Sequence, residues 1–147
     1  MILVAEDDAS DLWLVTQALQ ATEFPTRLEV SRDGDEAINY LLGREEFGDR
    51  ERHPVPNLLL LDLKMPRVNG MDVLRWVRRS VDYCCLPVVM LSGSVVQEDI
   101  DQAYRNGANA FFTKPSGFHA LKHLMHHIVG FWGLAQVSRG GVPICAP

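Results

Sequence analysis

Glu6, Asp7 and Asp8 follow directly on the apolar run Ile2, Leu3, Val4, Ala5, and Asp62 follows on four successive leucines. Ser92 closes a run ending in Met90 and Leu91, and Lys114 comes after Phe111, Phe112 and Thr113. Short apolar bursts that stop at polar residues read as strands buried on both faces, so each of these groups stands at a strand end. In an open parallel sheet, ligands bind outside the carboxyl ends of the strands. Residues far apart in sequence therefore converge on one edge as a cluster of carboxylates with one hydroxyl and one ammonium. Carboxylates held together repel, and two unit charges ~4 Å apart cost about 4 kcal/mol at an effective dielectric of 20. Lys114 offsets part of that repulsion and a hard divalent cation with oxygen ligands the rest. Mg²⁺ keeps several waters and takes one or two carboxylates plus phosphate oxygens. The chemistry expected is Mg²⁺-dependent handling of a phosphoryl group.

Five strand-helix units must position that cluster. After the first strand, Asp8 or Ser10 offers an N-cap, and Leu12, Val15 and Leu19 recur at helical spacing until Phe24-Pro25. A weak second strand over residues 27–31 precedes Asp33-Gly34 and a helix whose apolar stripe is Ala37, Ile38, Leu41 and Leu42. Residues 44–56 are charged and end in His53-Pro54-Val55-Pro56, which reads as a long, mobile connection. A third strand over 57–61 leads through Met65-Pro66 and Gly70 to a helix carrying Met71, Leu74 and Val77. A fourth strand over 86–91 is followed by a polar helix over 97–105, and a fifth over 108–113 by a helix with Phe118, Leu121, Leu124, Met125, Ile128 and Trp132. Strand-helix alternation implies a parallel sheet covered on both faces, an α/β doubly wound fold. The expected domain spans residues 1–132, with 133–147 a flexible tail too short to be an output domain.

The composition narrows the function classes. At 147 residues with a net charge of -5, there is no global basic field to gather nucleic acid or an anionic membrane surface. No apolar run approaches the ~18 residues of a membrane helix, and the amino terminus lacks a basic signal-peptide start, so a cytoplasmic location is expected. Three cysteines, with Cys84 and Cys85 adjacent, give neither a disulfide framework nor metal-ligand spacing. His119, His123, His126 and His127 fall opposite the apolar stripe of the last helix, which reads as a solvated face or partner surface rather than a zinc site.

Taken together, Glu6-Asp7, Asp62-Leu63-Lys64-Met65-Pro66 with Gly70, Ser92-Gly93 and Lys114-Pro115 resemble the receiver domain of two-component response regulators, over residues 2 to about 130. That resemblance implies a five-stranded flavodoxin-like sheet of order 2-1-3-4-5. Asp33-Gly34, the charged connection and Gly130-Phe131-Trp132 are similar, more narrowly, to stand-alone receivers that partner bacterial phytochrome histidine kinases. The resemblance makes Asp62 the phosphoacceptor, attacking a phosphohistidine of a sensor kinase in a reaction the domain itself catalyses. It makes Asp7 and Asp62 direct Mg²⁺ ligands together with the backbone carbonyl of Lys64, and Glu6 a ligand mainly through water. Ser92 and Lys114 would bind phosphoryl oxygens.

The same resemblance places a switch aromatic three residues before the lysine, at Phe111, which fills space vacated when Ser92 moves inward. Unlike tyrosine, Phe111 cannot hydrogen-bond the loop outside. Moving such an equilibrium from 1:99 to 99:1 takes ~5.5 kcal/mol of differential stabilisation, so the unmodified chain is expected to sample both states. The first helix and the loop after the fifth strand would form the kinase-docking surface, with Trp13 as an exposed anchor. Homodimerisation would run through the fourth helix, fifth strand and fifth helix. Three other readings stay open: a phosphorylation-independent interaction module, a hydrolase with an aspartyl nucleophile, and a flavodoxin-like cofactor domain. Lys64 stands where haloacid-dehalogenase-type hydrolases usually carry a second Asp, and an acidic first turn would repel a flavin phosphate.

Overall fold

The computed structural model describes residues 1–93 and 96–134. Five strands, β1 (Ile2–Ala5), β2 (Leu28–Ser31), β3 (Leu58–Leu61), β4 (Val88–Ser92) and β5 (Ala110–Thr113), alternate with helices α1 (Ala9–Gln20), α2 (Gly34–Leu42), α3 (Gly70–Arg79), α4 (Gln97–Arg105) and α5 (Phe118–Leu134). All neighbouring strands are parallel, in the order β2-β1-β3-β4-β5. The fold class and strand order are those expected.

The central strands β1, β3 and β4 are apolar runs because both of their faces are covered. Leu3, Ala5, Leu59, Leu61, Val88 and Met90 face a core completed by α2, α3 and Ala103 of α4. Ile2, Val4, Leu58, Leu60, Val89 and Leu91 face the opposite core, closed by α1 and α5 through Val15, Leu19, Leu121, Met125 and Ile128. The starts of α1, α2 and α3 are set by side-chain caps. Asp8 accepts from the amides of Ser10 and Asp11, Asp33 from that of Glu36, and Asn69 from that of Asp72, each supplying an acceptor to an otherwise orphaned N–H. Of the two N-cap candidates for α1, Asp8 takes the place.

Residues 44–56 depart from the mobile connection expected. A 3-10 turn, Glu45–Gly48, buries Phe47 against Tyr40 with ring centroids 5.1 Å apart. Arg50 donates to the carbonyl oxygens of Tyr40 at 2.8 Å and His53 at 3.2 Å, and Tyr40 Oη donates to the carbonyl of Pro54 at 2.9 Å. One aromatic in the charged run and one guanidinium on the open carbonyls of the helix end tie the segment down. Tyr40 accordingly takes the buried place in α2 expected of Leu42, which is exposed. At the other end of the chain, α5 continues two residues past the expected boundary at 132. Residues 135–147, where most of the expected tail falls, lie outside the described residues.

Candidate functional site

Parallel pairing aligns the strand ends. Ala5 is in register with Leu61, so Glu6 and Asp62 leave the sheet side by side, and Ser92 is in register with Thr113, next to Lys114. Three backbone bonds extend the ladder past the strands: Asp62 N to the carbonyl of Ala5 at 2.9 Å, Glu6 N to that of Ser31 at 3.0 Å, and Lys114 N to that of Ser92 at 2.8 Å. The cluster thus sits where β1 separates β2 from β3, the point at which the strand order reverses and α/β sheets bind ligands.

Glu6, Asp62 and Ser92 are buried, whereas Asp7 is exposed. Carboxylate oxygens of Glu6, Asp7 and Asp62 lie within 4.8 Å of one another, which among the described residues is the one group of three such donors. The Lys114 ammonium stands against Glu6 Oε2 at 2.5 Å, Asp11 Oδ2 at 2.8 Å and Asp62 Oδ1 at 3.1 Å. The amide of Lys64 donates to Asp62 Oδ2 at 2.8 Å, and the amide of Asp8 to Glu6 Oε1 at 3.2 Å. Gly70 lies so close above β3 that a Cβ there would overlap the carbonyl oxygen of Asp62. No side chain larger than hydrogen fits at that crossing.

Burial pushes the Glu6 carboxyl up to about 7, the Asp62 charge adding to the rise while the hydrogen bond and charge of Lys114 oppose it. Burial likewise holds Asp62 above the usual carboxylate range, against the pull of Lys114 and the Lys64 amide. For Lys114, burial alone would lower the ammonium. Its hydrogen bonds to Asp11 and Glu6 and the charge of Asp62 outweigh that, holding it above its ordinary value. An all-oxygen donor set carrying three carboxylates and one ammonium still holds excess negative charge, which fits a hard divalent cation.

Glu6, Asp7, Asp62, Lys64, Ser92 and Lys114 therefore share one edge of the sheet. Phe111 lies outside the cluster, half-buried in β5 against the α2 and α3 side. Its backbone N–H donates to the Tyr104 hydroxyl of α4 at 3.2 Å. Trp13 projects from α1 at 60% exposure. Sequence reasoning missed Asp11. The available signal was its position one turn beyond the Asp8 cap, which returns its side chain toward the end of β1. On α5, His119, His123 and His127 are exposed, but His126 is half-buried with its ring 5.2 Å from that of Phe24. Among the described residues no helix is long and apolar enough to cross a membrane.

A doubly wound parallel sheet carrying a lysine-bridged acidic cluster at its switch point defines a receiver-type signalling domain. Residues 2–126 match the family model described as response regulator receiver domain, and the chain belongs to that family, whose function is to accept a phosphoryl group from a histidine kinase. It is 35% identical over 132 residues to the probable methanogenesis regulatory protein FilR2 of Methanothrix harundinacea, covering 90% of this chain and 83% of that one. It is 33% identical to response regulator Rcp1 of Synechocystis, covering 90% and 88%. The solved structure of the phosphorylated cyanobacterial phytochrome response regulator RcpA superposes with a TM-score of 0.85 at 31% identity, over 92% of this chain and 96% of that one. Rcp1 has also been solved in a Mn²⁺-bound form, in keeping with a family that binds divalent metal.

Proposed function

We propose that this chain is a cytoplasmic response regulator whose Asp62 accepts the phosphoryl group of a phosphohistidine on a sensor histidine kinase of the phytochrome class. The observation that carries the reading is the Lys114 ammonium bridging Glu6, Asp11 and buried Asp62 at the switch point. The description of RcpA as a phytochrome response regulator supports the kinase class.

In the reaction, an oxygen of ionised Asp62 attacks phosphorus, the P–N bond to imidazole breaks, and a P–O bond forms to give an aspartyl phosphate. The leaving imidazole keeps the bonding electron pair and takes up a proton. Lys114 favours the ionised form of Asp62 against the pull of burial and then pairs with a phosphoryl oxygen, while Ser92 donates to another. Asp7, Asp62 and the backbone carbonyl of Lys64 would hold Mg²⁺, and Glu6, already engaged by Lys114 and the Asp8 amide, would act through water. Bound Mg²⁺ supplies charge neutralisation for the approaching phosphoryl oxygens. With no dedicated base in this set, dephosphorylation proceeds by in-line attack of water. Phosphorylation draws the Ser92 hydroxyl inward and frees space for Phe111.

Labelling by a small phosphodonor with Mg²⁺ tests the reading. The unaltered protein takes up phosphoryl and Asp62→Asn does not. Failure of the unaltered protein to label would instead favour a phosphorylation-independent interaction module. Exposed Trp13 on α1 is the proposed kinase anchor. Trp13→Ala slows transfer from the kinase and leaves small-donor labelling intact, whereas equal loss with both donors rejects docking.

A further inference from the structure

The loop from Asp62 to Gly70 is pinned to a helix that carries none of the acceptor-site residues. Arg67, five residues after Asp62, adopts φ 63°, a left-handed conformation that costs a residue with a Cβ unless its surroundings hold it there. Its guanidinium Nη2 donates to Asp33 Oδ2 at the start of α2. Asp33 is itself 9% exposed, and its other oxygen, Oδ1, accepts the Glu36 amide at 2.8 Å as the N-cap of α2. One carboxylate thus joins two elements: one oxygen starts a helix and the other grips the loop.

Close packing reinforces the junction. A Cβ on Gly34, the first residue of α2, would overlap the carbonyl oxygen of Val68, the residue after Arg67. The same loop carries Lys64, whose amide fixes Asp62 Oδ2, and closes with Gly70 N donating to the carbonyl of Leu63 at 3.0 Å. Release of Arg67 would leave a mostly buried carboxylate without its cation and would remove the side-chain ion pair that ties the loop to the start of α2.

We propose that Arg67 is a positioning residue: its ion pair with Asp33 locks the loop between β3 and α3 onto α2 and thereby sets the placement of Lys64 and Asp62. The inference rests on the acceptor-site reading above. It predicts that α2 and the acceptor loop move as one unit, so a loss at either end of the pair is felt at the metal and acceptor positions.

Arg67→Gln and Asp33→Asn each break the pair, and asparagine keeps the N-cap. Arg67→Gly removes the charge while accepting the left-handed backbone, and Arg67→Lys restores a cation. Mg²⁺ binding by calorimetry on the metal-free protein, and labelling by a small phosphodonor at saturating Mg²⁺, are the two readouts. Arg67→Gln, Arg67→Gly and Asp33→Asn are expected to weaken Mg²⁺ binding by about tenfold, as losses of groups that orient metal ligands do, and to slow labelling. Arg67→Lys recovers part of both, and the double variant is no worse than the worse single one. Mg²⁺ affinity and labelling unchanged in Arg67→Gly and Asp33→Asn, with only the melting temperature lowered, would overturn the proposal. An unaltered protein that binds Mg²⁺ yet takes no label would overturn the acceptor reading instead, and the calorimetric arm would still decide the role of Arg67.

Discussion

Glu6 is where burial and charge pull hardest against each other, and that conflict is measurable. Its folded-state carboxyl stands at about 7 against an ordinary 4.5, so the folded protein binds this proton more tightly than the unfolded chain. The resulting stability is fully present below 4.5 and is lost as pH rises through 7. Asp62 is shifted in the same direction, whereas the raised Lys114 keeps its proton throughout this window. The metal-free protein is therefore expected to melt at progressively lower temperature from pH 5 to pH 8, and Glu6→Gln to flatten the decline. A metal-free melting profile that rises over this interval would contradict the buried, proton-competent carboxyl. Lys114→Met removes the cation from the three carboxylates at once, and labelling by a small phosphodonor should fall to the level of Asp62→Asn. At this scale the sequence was legible wherever a polar residue ended an apolar run, which is how Glu6, Asp62, Ser92 and Lys114 declared themselves. Asp11 was legible only through its place one turn beyond the Asp8 cap, and Arg67 sits in a loop where nothing in the local pattern distinguishes an ion-pair partner from a solvated charge.

Caps and short contacts decide how the elements hold these residues. Asp8 extends the acidic run by one, but its carboxylate serves the first turn of α1, accepting the amides of Ser10 and Asp11 at 2.9 Å each. Asp8→Ala should cost about 1 kcal/mol in chemical denaturation while Asp8→Ser loses little, since serine caps nearly as well. Equal losses for the two would assign Asp8 to the site rather than to the helix. The segment after α2 shows the limit of reading elements from composition. Charge density over residues 44–56 signals a solvated loop, yet stability there depends on Phe47 packed against Tyr40 and on Arg50 across the helix end. Phe47→Ala should cost about 3 kcal/mol, the price of a buried aromatic, and a loss under 0.5 kcal/mol would return the segment to the mobile loop first expected. The strands were legible because a short apolar run ending at a polar residue needs no distant partner to be read. The buried role of Tyr40 was not, since it depends on a chain segment fourteen residues away.

At the scale of the whole molecule, the order β2-β1-β3-β4-β5 leaves β5 at an edge beside α4, and that edge is already partly capped. Tyr104 Oη accepts the outward N–H of Phe111, so strand-to-strand extension is blunted and contact between copies would have to use side chains. Tyr104, Phe131 and Leu134 are large and exposed on α4 and α5, at 50%, 66% and 84%. Scattered apolar residues on a surface are ordinary, but Tyr104 touches the strand that carries the proposed switch aromatic. If Phe111 moves inward when Ser92 does, its amide pulls on Tyr104, and the face formed by α4, β5 and α5 changes with the state of Asp62. A ligand shifts such an equilibrium only by its differential affinity for the two states, so a phosphate mimic should raise self-association rather than create it from nothing. Sedimentation at rising concentration, with and without a beryllium fluoride mimic, is expected to show stronger dimerisation in the mimic-bound state. Phe131→Asp should weaken it in both, and Tyr104→Phe should reduce the difference between them. A single monomeric species at high concentration in both states would remove the dimer, and a dimer indifferent to the mimic would separate assembly from phosphorylation.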